Sequence, residues 1–287
     1  MQGNFNQKKY PVNPISYMGL HGHTDVFRFI LTHPDMDHMD GIKAFFDAFQ
    51  PTNFWDTDND EEKEFGGGND GGFCEDDWKF YKKLRDGKLE NSPKRLALHS
   101  GARGQYYNQN DNNQGGGDGL HVLAPTKQLV AAACENEDYN DSSYVILYLT
   151  CGYKILFAGD SHDATWEHIL NDHVKDVTDV DILVAPHHGR HSDRDWEFLD
   201  VVNPRLTFFG NAKSGHLAYS AWSNRKLPII TNNQAGTIVV DASEPQLDVY
   251  VTCEAYAKAN ANAKYYNTFY SENHKGYYWG SLLKKTI

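Results

Sequence analysis

LTHPDMDHMDG, residues 31–41, puts two histidines and three aspartates into eleven residues, directly after the apolar run DVFRFIL at 25–31. The apolar run predicts a buried strand. GIKAFFDAF, 41–49, carries its apolar residues at helical spacing, so the acidic stretch falls in a strand-to-helix turn. Taken alone, the pattern HxDxDH fits an acidic turn as well as a metal site.

Three further stretches shift that balance. NDSSYVILYL, starting at Asn140 and Asp141, leads into an apolar strand, KILFAGD ends at Asp160, and ILVAPHHG ends at His187 and His188. Each apolar run buries its interior and delivers polar residues to the rim of a sheet, where sites form in α/β proteins. AGD alone is ordinary turn chemistry and PHHG alone is compatible with a structural histidine. In this order, each at the end of a strand, they point to a binuclear metal hydrolase. One divalent ion lowers the pKa of bound water, and a second clamps the transferring group. That chemistry needs several His and Asp side chains and one carboxylate able to bridge, and Asp160 suits the bridge.

Together LTHPDMDHMDG, NDSSYVILYL, KILFAGD, ILVAPHHG and GNAKSGH resemble the metallo-β-lactamase fold superfamily. Within it they are most similar to the branch typified by the hydrolase domain of the bacterial competence DNA-uptake channel. The resemblance covers about residues 12–250 without the loops at 56–118. It implies an α/β fold, a four-layer αββα sandwich with two divalent ions, Zn²⁺ or Mn²⁺. Carried onto this chain, it implies that His33 and Asp35 hold one ion with Asn140 nearby. Asp37 and His38 hold the second, Asp160 bridges, and His187 or His188 completes the second site. Asp37 and His216, the latter in KSGH, are the candidates for a direct catalytic role. The remaining histidines, including His99, His121, His168 and His173, are expected to be structural or solvent-exposed.

Two departures from the family pattern matter. The first motif usually reads HxHxDH, and here Asp35 takes the second histidine's place. A carboxylate is a harder ligand than imidazole, which tilts the site toward Mn²⁺ and suits an anionic phosphodiester, either nucleic acid or a small phosphoester. The alternatives are a lactone, thioester or β-lactam hydrolase, in which the attack falls on a carbonyl, and a truncated, non-catalytic interaction protein. The second departure is upstream: the apolar strand begins at residue 25, leaving little room for the two or three strands the family places first. One sheet is then expected to expose an edge, which a partner chain would cover.

The rest of the chain is read from composition and punctuation. Residues 1–253 form one hydrolase domain. Within it 56–118 is a loop-rich insertion, marked by DTDNDEEKEFGGGNDGG and NQNDNNQGGGDG, with a helix over DDWKFYKKLRDG capped by Asp76 or Asp77. TCGY predicts a hairpin turn, and PIITNNQAGTIVVD a closing hairpin. Residues 254–287 form an appendix rich in aromatics: Tyr256, Tyr265, Tyr266, Phe269, Tyr270, Tyr277, Tyr278 and Trp279. The chain has 287 residues and a net charge of −12, which argues against broad electrostatic binding of nucleic acid. The four cysteines form no CxxC pair, so reduced thiols in a cytoplasm are expected. No apolar run reaches the roughly 20 residues of a membrane helix.

Overall fold

The computed structural model describes residues 12–66, 72–108, 117–192, 194–243, 245–264 and 267–284. The fold is mixed α/β with three sheets. The first third holds α1 (Pro14–Leu20), β1 (Arg28–Ile30), α2 (Met36–Met39), α3 (Ile42–Phe49), β2 (Asn53–Asp56), α4 (Glu75–Arg85) and β3 (Lys94–Ala97). The middle holds β4 (Leu120–Ala124), α5 (Lys127–Asn136), β5 (Val145–Thr150), β6 (Tyr153–Phe157), α6 (Asp163–Asp172), α7 (Val174–Val177), β7 (Ile182–Val184), α8 (Phe198–Val202), β8 (Leu206–Phe209), α9 (Tyr219–Ser223) and β9 (Ile229–Thr231). The last part holds α10 (Asn232–Ala235), β10 (Ile238–Ser243), β11 (Gln246–Val251), α11 (Glu254–Lys264), β12 (Tyr270–Ser271) and β13 (Gly276–Leu283).

β1, β2 and β3 form a parallel sheet with β1 at one edge. α2, α3 and α4 cover it through a cluster of Leu31, Met36, Met39, Phe45, Phe46, Phe54, Trp78, Tyr81 and Leu84. Ile42, Phe45, Phe46 and Phe49 recur at the spacing that paints one face of a helix. The stretch 56–118 therefore contributes α4 to this core and β3 to this sheet. Asp77 does not cap its own helix, which begins after Cys74. Its carboxylate instead accepts from the Gly41 and Lys43 N–H groups at 2.8 and 3.0 Å, satisfying two donors that the first turn of α3 leaves open. The segments 67–71 and 109–116 of the two glycine-rich stretches lie outside the described residues.

The six-stranded sheet runs β4-β5-β6-β7-β8-β9, antiparallel as far as β6 and parallel from β6 to β9. Strand alternation sends its side chains to two cores. Val145, Leu147, Leu156, Leu183 and Phe209 pack with Trp166, Ile169, Phe198, Leu199 and Trp222 of α6, α8 and α9. From the other face, Ile155, Ile182, Leu206 and Ile230 meet Leu247, Val249, Val251 and Trp279. Also from that face, Val122 and Ile146 meet Trp55 and Leu98 of the three-stranded sheet and its continuation. The predicted hairpin at TCGY is present, with Cys151 and Gly152 both at positive φ.

PIITNNQAGTIVVD is not a hairpin. β9 ends the six-stranded sheet, α10 follows, and β10 pairs with β11 in a separate antiparallel sheet of order β10-β11-β13-β12. β13 supplies a long inner strand of that sheet, so the aromatic stretch is built into it. Tyr278 and Trp279 are buried, Phe269 and Tyr270 are exposed, and Tyr265 and Tyr266 lie outside the described residues. No described helix is long and apolar enough to cross a membrane.

Candidate metal centre

A chain of hydrogen bonds from backbone N–H groups draws the four motif-bearing strand ends together. Tyr144 N–H donates to the Thr32 carbonyl at 2.9 Å, joining the residue after β1 to the start of β5. Asp160 N–H donates to Ser143 Oγ at 3.0 Å. His187 N–H donates to the Gly159 carbonyl, and Gly210 N–H to the His188 carbonyl. Because β6, β7 and β8 are parallel, their C-terminal ends lie on one side, where α/β folds place their sites.

Local backbone chemistry sets each side chain. Gly159 sits at φ +52°, and a Cβ there would come within 2.8 Å of the Tyr144 carbonyl oxygen. Only glycine lets the chain turn this tightly before Asp160. His187 and His188 both adopt left-handed φ, 48° and 58°, a conformation that costs a non-glycine residue energy and tends to persist at functional sites. Their turn is clamped between the ends of β6 and β8. A Cβ on Gly210 would fall 2.9 Å from His188 Nδ1, so the bare glycine at the end of β8 gives that ring its space.

Two overlapping groups of ligating atoms result: His33, His38 and Asp160, and Asp37, His38 and His188, each within 4.8 Å. His38 Nε2 lies 3.3 Å from Asp160 Oδ1, and His188 Nε2 lies 3.4 Å from Asp37 Oδ2. Asp160 Oδ2 stands 4.0, 3.8 and 3.7 Å from the Nε2 atoms of His33, His187 and His188. Asp35 Oδ2 is 3.5 Å from His33 Nε2. Of the two adjacent histidines, His188 joins the ligating group. His187 turns its other nitrogen away, toward His162, Ser192 and Arg194.

The electrostatics follow from this crowding. Burial pushes the Asp160 carboxyl up, but His38 beside it and the surrounding imidazoles outweigh burial and hold the group well below the usual carboxylate range. The same contest, won by His188 and His38, leaves Asp37 at about 2, and His33 and Lys63 keep Asp35 low. Burial alone would lower His38, yet Asp160, Asp37 and Asp35 raise it. His187 is different: burial, reinforced by Arg194 and Arg190, brings it down to about 4 against the pull of Asp160.

Fit to a cation is tested by what these groups lack. The Nε2 atoms of His33, His38 and His188 are buried and have no hydrogen-bond partner. Three buried ring nitrogens facing carboxylates would be costly without an ion or proton to share, and neutral imidazole plus carboxylate is a ligand set for first-row divalent ions. The residues fit the group.

Two expected residues lie outside the His/Asp groups. Asn140 donates its side-chain N–H to Asp138 at 2.8 Å and leaves its buried Oδ1 without a hydrogen-bond partner. His216 is exposed, and its backbone carbonyl accepts from His191. His168 and His173 are partly buried structural groups, whose Nε2 atoms meet on the Ser100 hydroxyl at 3.0 and 2.8 Å.

Other participants were not singled out from sequence. Thr32 Oγ1 lies 3.1 Å from Nδ1 of both His33 and His38, which turns both Nε2 atoms toward the carboxylates. Lys63 reaches Asp35 at 3.5 Å from the segment after β2 and is itself held by Glu61 at 2.8 Å. Thr32 touches the motif in sequence, and the preference of ligating histidines for a partner on their second nitrogen was the available signal. Lys63 gave none. No protein-family model matches this chain, and no curated protein is significantly similar to it.

Proposed function

We propose that this chain is a metal-dependent phosphodiesterase on a four-layer αββα frame of the metallo-β-lactamase type. The observation that carries the reading is the trio of buried, unpartnered Nε2 atoms of His33, His38 and His188 around Asp160 and Asp37. The frame is supported by helices α2–α4 on the three-stranded sheet and α6, α8 and α9 on the six-stranded one, with the sheets meeting through Trp55, Val122 and Ile146.

In this reading His33, Asp35 and Asp160 would hold one divalent ion and Asp37, His38 and His188 the other, since the one free nitrogen of His38 can serve only one ion. A bound ion pair supplies an activated water and neutralises charge developing on a phosphoryl group. Three carboxylates among the six candidate ligands favour hard ions such as Mn²⁺ over Zn²⁺. Asp160 offers one oxygen to His38 and the other to His33 and His188, so it serves both halves of the cluster. Thr32 orients two imidazoles. Lys63 places a cation at the rim beside Asp35, where an anionic substrate gains from it.

The purified chain is expected to bind about two divalent ions, the number a two-metal site requires, and to hydrolyse bis(p-nitrophenyl) phosphate with Mn²⁺. Asp160→Asn should lose both properties while remaining folded by circular dichroism. A folded wild-type chain that takes up no metal, or an Asp160→Asn variant as active as wild type, overturns the proposal.

A further inference from the structure

Around His187, beside the His/Asp cluster, lies a group of polar side chains that the site described so far does not use. Arg190 Nη1 stands 3.4 Å from His187 Nε2. Arg194 Nη2, Ser192 Oγ and His162 Nε2 stand 3.4, 2.9 and 3.1 Å from His187 Nδ1. A guanidinium can only donate, and an imidazole offers at most one lone pair. One ring therefore cannot satisfy two arginines on its two nitrogens, whichever tautomer it takes.

Neither arginine has a carboxylate within ion-pair distance among the described residues. Asp141 Oδ1 is occupied by the N–H groups of His162 and Thr165 and by the Thr165 hydroxyl. Asp163 Oδ1 accepts from Asp195 N–H, and Asp160 belongs to the cluster. Arg194 is 7% exposed. It donates to the Ser161 carbonyl and leaves its buried Nε without a partner. A guanidinium held in this way is a fixed positive charge, and Arg190, Ser192 and His162 are only partly buried above it. Guanidinium groups match phosphate oxygens in geometry as well as charge.

We infer that Arg190, Arg194, Ser192 and His162 form a phosphate subsite beside the metal centre, which takes the phosphate next to the scissile one in an oligonucleotide. The inference rests on the phosphodiesterase reading. It adds that the preferred substrate carries a second phosphate, because Arg194, Ser192 and His162 gather on His187 Nδ1, one imidazole away from the Nε2 that faces Asp160 Oδ2 at 3.8 Å, with Arg190 beside that Nε2. The groups on Nδ1 are too far round the ring to hold the group under attack. It also reconciles a net charge of −12 with a nucleic-acid substrate, since attraction is needed only where the strand enters.

The test compares a dinucleoside monophosphate with the same dinucleotide carrying a terminal phosphate at its 5′ or 3′ end. One terminal phosphate should lower KM about tenfold, the size of one charge-assisted hydrogen bond. That gain should disappear in Arg190→Met, and in Arg194→Lys should the former lose its fold. Equilibrium binding of the phosphorylated dinucleotide to chelator-treated protein reports on the subsite without turnover. Arginine-dependent binding in a chain that hydrolyses nothing keeps the subsite and removes the phosphodiesterase reading. Hydrolysis with no benefit from a terminal phosphate, or a benefit that survives both substitutions, overturns the subsite and leaves that reading in place.

Discussion

Asp56, at the end of β2, offers a quantitative test of how the segment bearing Lys63 is anchored. Its side chain is 1% exposed. It accepts from Arg95 Nε at 2.8 Å and from the Tyr81 hydroxyl at 3.3 Å, and Tyr81 in turn accepts from Asn59 at 2.8 Å. The two sides of the ion pair are unequal. Burial pushes the Asp56 carboxyl up to about 6 despite Arg95, whereas Arg95, only half-buried, is itself raised by the pairing. Burial falls mainly on the carboxylate, so the Asp56 direction governs stability.

A carboxyl raised from 3.8 to about 6 on folding keeps its proton longer in the native state than in the unfolded chain. Its contribution to stability is complete below about pH 3.8 and is lost as pH rises through about 6. At about 1.36 kcal/mol per pH unit the loss is about 3 kcal/mol. Asp56→Asn removes this titration while keeping an acceptor for Arg95. Urea denaturation at pH 4.0, 5.0, 6.0 and 7.5 should show the variant gaining on wild type by about 2.5 kcal/mol across that range, since part of the loss precedes pH 4.0. Parallel stability profiles, or a gain of the opposite sign, would refute the reasoning and mean that Arg95 outweighs burial.

The proposed metal centre gives three further predictions. His188→Ala should bind one ion fewer per chain by elemental analysis, while His187→Ala keeps the wild-type complement, because only His188 lies against Asp37. Thr32→Val should weaken metal binding about 10–100-fold in chelator competition, the usual effect of losing a partner that orients ligating histidines. Gly159→Ala should destabilise the fold by about 1–3 kcal/mol through strain at positive φ and collision with the Tyr144 carbonyl, and should reduce metal uptake by displacing Asp160. Normal stability in that variant would show that the tight turn is not required.

Some features could be read directly from local pattern. β1, β5, β6 and β7 are short apolar runs with polar ends, and α3 repeats its phenylalanines at helical spacing, so their positions follow from periodicity. β2 and β3 were harder. NFWD is only four residues long and starts two residues after Pro51, and KRLA is half charged. Neither carries a strand pattern, because each is held by parallel pairing between helices, which local sequence does not encode. TNNQAG looked like a turn between two strands. It is a short helix ending at Gly236, where a Cβ would strike Thr252 Oγ1 at 2.2 Å, so a contact from another strand decides its shape.

The same division runs through the candidate site. Sequence by itself determined the inventory: His33, Asp35, Asp37, His38, Asp160 and a histidine pair, each at the end of an apolar strand that buries its interior and leaves its last residues at a sheet rim. The tertiary structure decided which members meet. The choice of His188 over His187 depends on two consecutive left-handed residues and on the space left by Gly210. The orientation of His33 and His38 depends on one threonine hydroxyl. Lys63, Arg190 and Arg194 reach the site from segments whose sequence marks them only as polar. Ligand identity is a property of residue type and so appears in a string of letters. Ligand geometry is a property of backbone turns and close approaches between distant strands, and it exists only once the chain has folded.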